Sequence, residues 1–188
     1  MIRDLARKSR SWRGYDESRK VSREELVEMV ECARLCPSSV NMQPLKYYLA
    51  WEEEQVKKIQ PLTKWARALQ SMELPHKGHC PTAFIVICQD TALQPSIPRF
   101  QKDIGIVAQT MLLAATEMGL GGCMIGNYDA ALDLPENLMP VLIVAIGRPD
   151  ETIVLTDVKE DGDINYYRDE NDVHYVPKRS LEDLIINK

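Results

Sequence analysis

Two short apolar runs constrain this chain more than any other feature. Residues 83–88 read "AFIVIC" and residues 141–147 read "VLIVAIG". Neither shows the in–out alternation of a half-exposed strand, and neither approaches the roughly 20 apolar residues needed to cross a bilayer as a helix. Each is therefore expected to be a strand covered on both faces. A sheet enclosed in that way requires helical layers above and below it, which places the chain among layered α/β or α+β folds.

The remaining patterns supply those layers. In "SREELVEMVECARLC" (22–36), Ser22 and Glu25 have capping-box spacing, Val21 can staple onto Leu26, and Leu26, Met29, Val30 and Ala33 recur at helical intervals. Pro37 ends that helix, and "LKYYLAW" (45–51) reads as a strand. Residues 52–72 are expected to be helical in two pieces split by Pro61. "FQKDIGIVAQTMLLAATEMG" (100–119) reads as a long, mostly buried helix stopped by Gly119, followed by the glycine-punctuated strand "LGGCMIG". On this helix Asp103 is expected to face water or pair with a neighbour such as Lys102. From Asp150 the chain turns polar and turn-rich before "SLEDLIINK", a capped short helix with an apolar cluster that must dock on something.

Bulk properties exclude several functions. With 188 residues and no internal repeat, one domain spanning 1–188 is expected, with 150–188 as an arm. The formal charge of −5 argues against a broad nucleic-acid footprint. Five cysteines without a C-x-x-C pair, and an N-terminus without an apolar signal region, fit reduced thiols in a cytoplasm and no membrane attachment. His76, His79 and Cys80 in "HKGHC" offer two or three metal ligands without a fourth, so no metal site is expected.

Three separated stretches carry groups suited to a ligand. In "SRSWRGY", Arg10 and Arg13 flank Ser11, a set that matches phosphate oxygens but is also what a solvated basic terminus looks like. In "PSSVNMQP", Ser38, Ser39, Asn41 and Gln43 stand between two prolines. They can face an amide-rich ring edge or satisfy their own backbone. "GLGGCMIG" lets backbone approach a neighbour closely, yet it follows a helix and is no nucleotide fingerprint.

Taken in order, these elements resemble the FMN-dependent nitroreductase family. "RSWRGY", "ARLCPSSVNMQPLKYYLA", "DIGIVAQTMLLAATEMGLGGCMIG", "VLIVAIGRP" and "HYVPKRSLEDLI" are each similar to a family element, and together they span nearly the whole chain. The resemblance implies a three-layer α/β/α sandwich of the α+β class, with a central mixed sheet and a C-terminal arm embracing the partner of a homodimer. It implies FMN held by Arg10, Ser11, Arg13, Pro37, Ser38, Ser39, Asn41, Met124, Ile125, Gly126, Lys178 and Arg179. Ser9 stands where many members have a second basic residue, which leaves phosphate charge to Arg10 and Arg179. The implied activity is transfer of hydride from NADH or NADPH through FMN to a small organic acceptor of nitroaromatic or quinone type, in ping-pong fashion. No side chain is named as acid or base, because the cofactor carries the chemistry. A flavin-binding store or redox sensor without turnover is the alternative.

Overall fold

The computed structural model describes residues 1–69, 72–129 and 132–187. Its centre is a four-stranded sheet of β1 (Leu45–Ala50), β2 (Ala83–Asp90), β3 (Gly121–Ile125) and β4 (Leu138–Gly147), in the spatial order β1-β2-β4-β3. The two apolar runs are the two central strands. Their register places Ala83 opposite Ile146 and Ile85 opposite Val144, and these four side chains lie on one face. Phe84 opposite Ala145 and Val86 opposite Ile143 lie on the other.

Each face is covered by a different layer. Over the first pack α2 (Arg23–Arg34) and α4 (Gln101–Glu117), through Leu26, Met29, Ala33, Val107, Met111 and Ala115. Over the second pack Val56 and Ile59 of α3 (Glu53–Ile59), with Trp65, Tyr128 and Leu134 from the loops that follow α3 and β3. The capping box of α2 forms as its spacing predicts: Ser22 Oγ accepts from the Glu25 amide at 3.3 Å, and Glu25 accepts from the Ser22 amide at 2.9 Å. Gly119 ends the turn after α4 at φ +74°, a conformation that favours glycine.

Three expectations are corrected. The four-stranded ladder is antiparallel throughout rather than mixed. The parallel pairing made with it among the described residues is a single bridge between Ser11 and Gly122. The two helical pieces of 52–72 reduce to α3 and short 3₁₀ turns at Gln60–Leu62 and Arg67–Leu69, with Gln70 and Ser71 outside the described residues. Here the backbone pairs elsewhere. Thr63 bridges Tyr128, the Lys64 amide donates to the Asn127 carbonyl, and the Asp129 amide donates to the Leu62 carbonyl. Asp103, finally, is buried on α4 rather than facing water.

Two further segments carry no clear signal in the sequence. Residues Ile2–Lys8 form a short exposed helix, α1. The polar tail contains β5 (Ile153–Asp157), β6 (Tyr167–Arg168) and β7 (His174–Lys178), a separate sheet in the order β5-β7-β6. After it comes α5 (Leu181–Leu184), capped by Ser180 Oγ accepting from the Asp183 amide. Leu181, Leu184, Ile185 and Ile186 are all exposed within the chain.

Candidate functional site

The glycines of β3 determine where the basic N-terminal stretch lies. A Cβ on Gly121 would sit 2.4 Å from the Trp12 indole, and one on Gly122 would sit 2.3 Å from the Ala145 carbonyl oxygen. The close approach these glycines permit is thus taken up by the protein itself. Trp12 lies against β3 and donates its amide to the Gly122 carbonyl at 3.1 Å. The buried Tyr15 ring packs on Gly147 at the end of β4, and its hydroxyl donates to the Trp12 carbonyl at 2.7 Å. The Tyr15 amide donates to the His79 carbonyl and the Asp150 amide to the Gly14 carbonyl, which pins residues 12–16 between β3, β4 and the arm.

With the backbone held in this way, Arg10, Ser11 and Arg13 meet Lys178 around one cavity of about 150 Å³. The arm supplies the rest of its wall, through Ile153, Tyr166, His174 and Val176. The Arg13 guanidinium lies over the Tyr166 ring at 5.0 Å, and that ring is tilted against His174 at 5.3 Å. Behind the wall is a buried charge network. Glu151 pairs with Arg168 and accepts from the Arg13 amide, while Arg168 also reaches Asp172 at 2.9 Å. Burial pushes the Glu151 carboxyl up, against the pull of the Arg13 amide and the Arg168 charge. His174 is 1% exposed, and burial beside Arg13 and Arg168 lowers its imidazole to about 4.

Uncommitted nitrogens mark this cavity. Nε of Arg10, Nε of Arg13 and both ring nitrogens of His174 are buried without a hydrogen-bond partner among the described residues. Buried polar atoms are nearly always paired, so several orphans on one wall point to a group that belongs there. Cations with free N–H groups around a space of this size suit a small oxyanion such as a phosphate.

The other expected residues lie elsewhere in the chain. Pro37 and Ser38 line a second hollow of about 320 Å³ between α2, β1 and α4, with Cys36, Tyr47 and Asp103. Ser38 Oγ donates to Asp103 Oδ2 at 2.6 Å, and the Ser39 amide donates to the same oxygen at 3.0 Å. The Gln43 amide donates to Ser38 Oγ, and Gln43 Nε2 to Asn41 Oδ1. Ser39 and Asn41 are exposed. On the edge strand β3, Met124 is partly buried against the core and Ile125 has its side chain within the second core cluster. Gly126, just beyond, is exposed with open space where a Cβ would lie. Arg179 is exposed and outside the lining of the cationic cavity; Lys178 takes that wall. His76 and His79 face different carboxylates, Asp172 at 3.2 Å and Asp150 at 3.1 Å. Among the described residues no three metal-ligating side chains gather.

Sequence reasoning missed Tyr166, His174, Glu151 and Arg168. One signal was available: His174, Val176 and Lys178 alternate in sequence, and β7 turns all three to the cavity.

The chain thus combines an antiparallel sheet covered on both faces with a cationic cavity beside its edge strand. Comparison with known proteins narrows the class. The chain belongs to the nitroreductase family, whose model matches residues 6–148. A Methanothermobacter thermautotrophicus protein provisionally named NADH dehydrogenase/NAD(P)H nitroreductase is 30% identical over 153 residues, covering 76% of this chain and 74% of that one. A solved nitroreductase family protein from Clostridium difficile 630 is 26% identical with a TM-score of 0.61, over 79% of this chain and 84% of its own. An FMN-dependent nitroreductase from Clostridium difficile R20291, 20% identical, shares the fold with a TM-score of 0.61 over 81% of this chain and 92% of its own. Membership makes the chain an oxidoreductase, and the family is FMN-dependent.

Proposed function

We propose that the protein binds FMN and transfers hydride from NADH or NADPH, through that cofactor, to a small organic acceptor of nitroaromatic or quinone type in a ping-pong cycle. The observation that carries this reading is the cavity of Arg10, Ser11, Arg13 and Lys178, with its unpartnered N–H donors. It accepts the phosphate end of the cofactor, and the donor set fits: guanidiniums supply paired N–H groups and charge, and Ser11 supplies a hydroxyl. FMN, when bound, supplies the hydride chemistry. The protein positions it and excludes water, so no side chain is assigned as general acid or base.

The chain acts as one domain and as a homodimer. Exposed Leu181, Leu184, Ile185 and Ile186 on and beyond α5, and exposed Ser39 and Asn41, support that assembly. In it the Pro37–Asn41 loop and the Met124–Gly126 segment complete the ring end of a site, with Arg179 adding charge. Among the described residues no helix is long and apolar enough to cross a membrane. An absorbance spectrum of the purified protein before and after anaerobic NADH tests the reading. Flavin bands that bleach support it. Flavin bands that persist with both NADH and NADPH indicate a store or sensor, and a colourless protein that takes up no FMN contradicts the reading.

A further inference from the structure

His174 has no role in the reading so far, yet it is the most buried polar residue on the cavity wall. It sits on β7, lines the cavity beside Arg10, Arg13 and Lys178, and has neither ring nitrogen engaged. Its backbone is fixed by donation to the Thr152 carbonyl at 2.9 Å, which holds residue 174 in the wall.

The groups that face it come from every side. Arg10 and Arg13 belong to the N-terminal segment; Arg168 lies directly opposite on β6; Asp172 precedes β7; Glu151 precedes β5; Lys178 ends β7. Four cations stand against two carboxylates, an excess of two positive charges. That excess matches a phosphate monoester, which carries about −1.5 to −2 near neutral pH. Without an anion, burial and the neighbouring guanidiniums keep the imidazole neutral. With a dianion in contact the balance reverses, since an opposite charge at close range favours the protonated ring.

We propose that His174 reads the phosphate of the cofactor by proton uptake: neutral in the free protein, it takes a proton from solvent as the dianion enters and donates an N–H to a phosphate oxygen. His174 is then a specificity residue that favours FMN over riboflavin, and FMN affinity becomes coupled to pH. This rests on the reading of the cavity as the phosphate end of the flavin site.

The test is calorimetry of the full-length, flavin-stripped protein near pH 7.5 in two buffers of different ionisation enthalpy, with FMN and with riboflavin as ligands. The expected result is uptake of close to one proton on FMN binding and none on riboflavin binding. His174→Gln keeps a neutral hydrogen-bonding side chain. It is expected to bind FMN about tenfold more weakly without proton uptake, and to bind riboflavin as the wild type does. FMN binding to the wild type without proton uptake overturns the role of His174 while leaving the cofactor reading intact. Failure of both flavins to bind overturns the cofactor reading, and this inference with it. The wild-type measurement decides even where the variant does not fold.

Discussion

Two polar regions of this molecule invite a ligand in sequence, and their donors have opposite fates. In the loop from Pro37 to Pro44, Ser38, Ser39 and Gln43 are engaged within the chain, chiefly through the buried Asp103. In the cavity of Arg10, Arg13 and His174, buried nitrogens remain without partners. The difference teaches that residue type alone does not tell donors spent within the chain from donors left free for a ligand. The loop uses its hydroxyls to hold an unfavourable path, with Val40, Asn41 and Gln43 at φ between 49° and 54°. The cavity receives its rigidity from glycines and aromatic rings, and while Arg10 Nη2 and Arg13 Nη1 donate to the Ala6 and Ser11 carbonyls, both Nε groups and the imidazole stay available.

The sharpest way to break this contrast is Gly121→Ala. Its Cβ would occupy the space of the Trp12 indole, which anchors Arg10 and Arg13. FMN affinity is expected to fall on the order of a hundredfold, about 3 kcal/mol, with the circular dichroism of the fold retained. Fluorescence titration checks it, and unchanged affinity would mean that the indole does not set the cavity.

Asp103→Ala probes the other region. It removes the acceptor of two hydrogen bonds at a buried position and is expected to cost about 2–4 kcal/mol in urea denaturation, whereas Asp103→Asn costs less. A loop held by other means would leave stability unaltered.

Half of this contrast is legible in the amino-acid sequence, and the half that is not has a physical reason. The wholly apolar runs at 83–88 and 141–147 announce β2 and β4, because only an enclosed sheet accommodates them. The Ser22–Glu25 spacing announces α2. The basic segment is legible as a phosphate candidate because guanidiniums on either side of a hydroxyl match phosphate oxygens. The sheet within the arm is not legible. β5, β6 and β7 are short and carry charged residues, and their packing partners lie far away in sequence. Arg168 and Glu151 meet as a buried pair, and no local pattern encodes that meeting. The glycines of β3 read as places of close approach, but nothing nearby in sequence says that Trp12 is the neighbour.

The pH dependence of folding gives a smaller effect that isolates His174. Its imidazole is lowered to about 4 in the folded chain, against an ordinary value near 6.5. The unfolded chain therefore binds the proton first, and stability falls as pH drops from about 6.5 toward about 4. Thermal unfolding of flavin-free protein should show a decline on the order of 5 °C across that window, and His174→Gln should flatten it. A slope identical in the variant would assign the effect to other groups. The smallest change is expected at the tip of the loop. Val40→Gly relieves a β-branched residue at φ 49° and should stabilise the chain by about 0.5–1 kcal/mol, seen as a shifted denaturation midpoint.

The claim at the centre of this account is that the cavity's donors left unpartnered among the described residues are those that hold the cofactor's phosphate. The direct measurement is the ratio of dissociation constants for riboflavin and FMN, on the wild type and on Arg10→Ala. The account predicts FMN bound about a hundredfold more tightly than riboflavin by the wild type, with most of that preference lost in the variant. Equal affinity for the two flavins, or a preference untouched by Arg10→Ala, would contradict it.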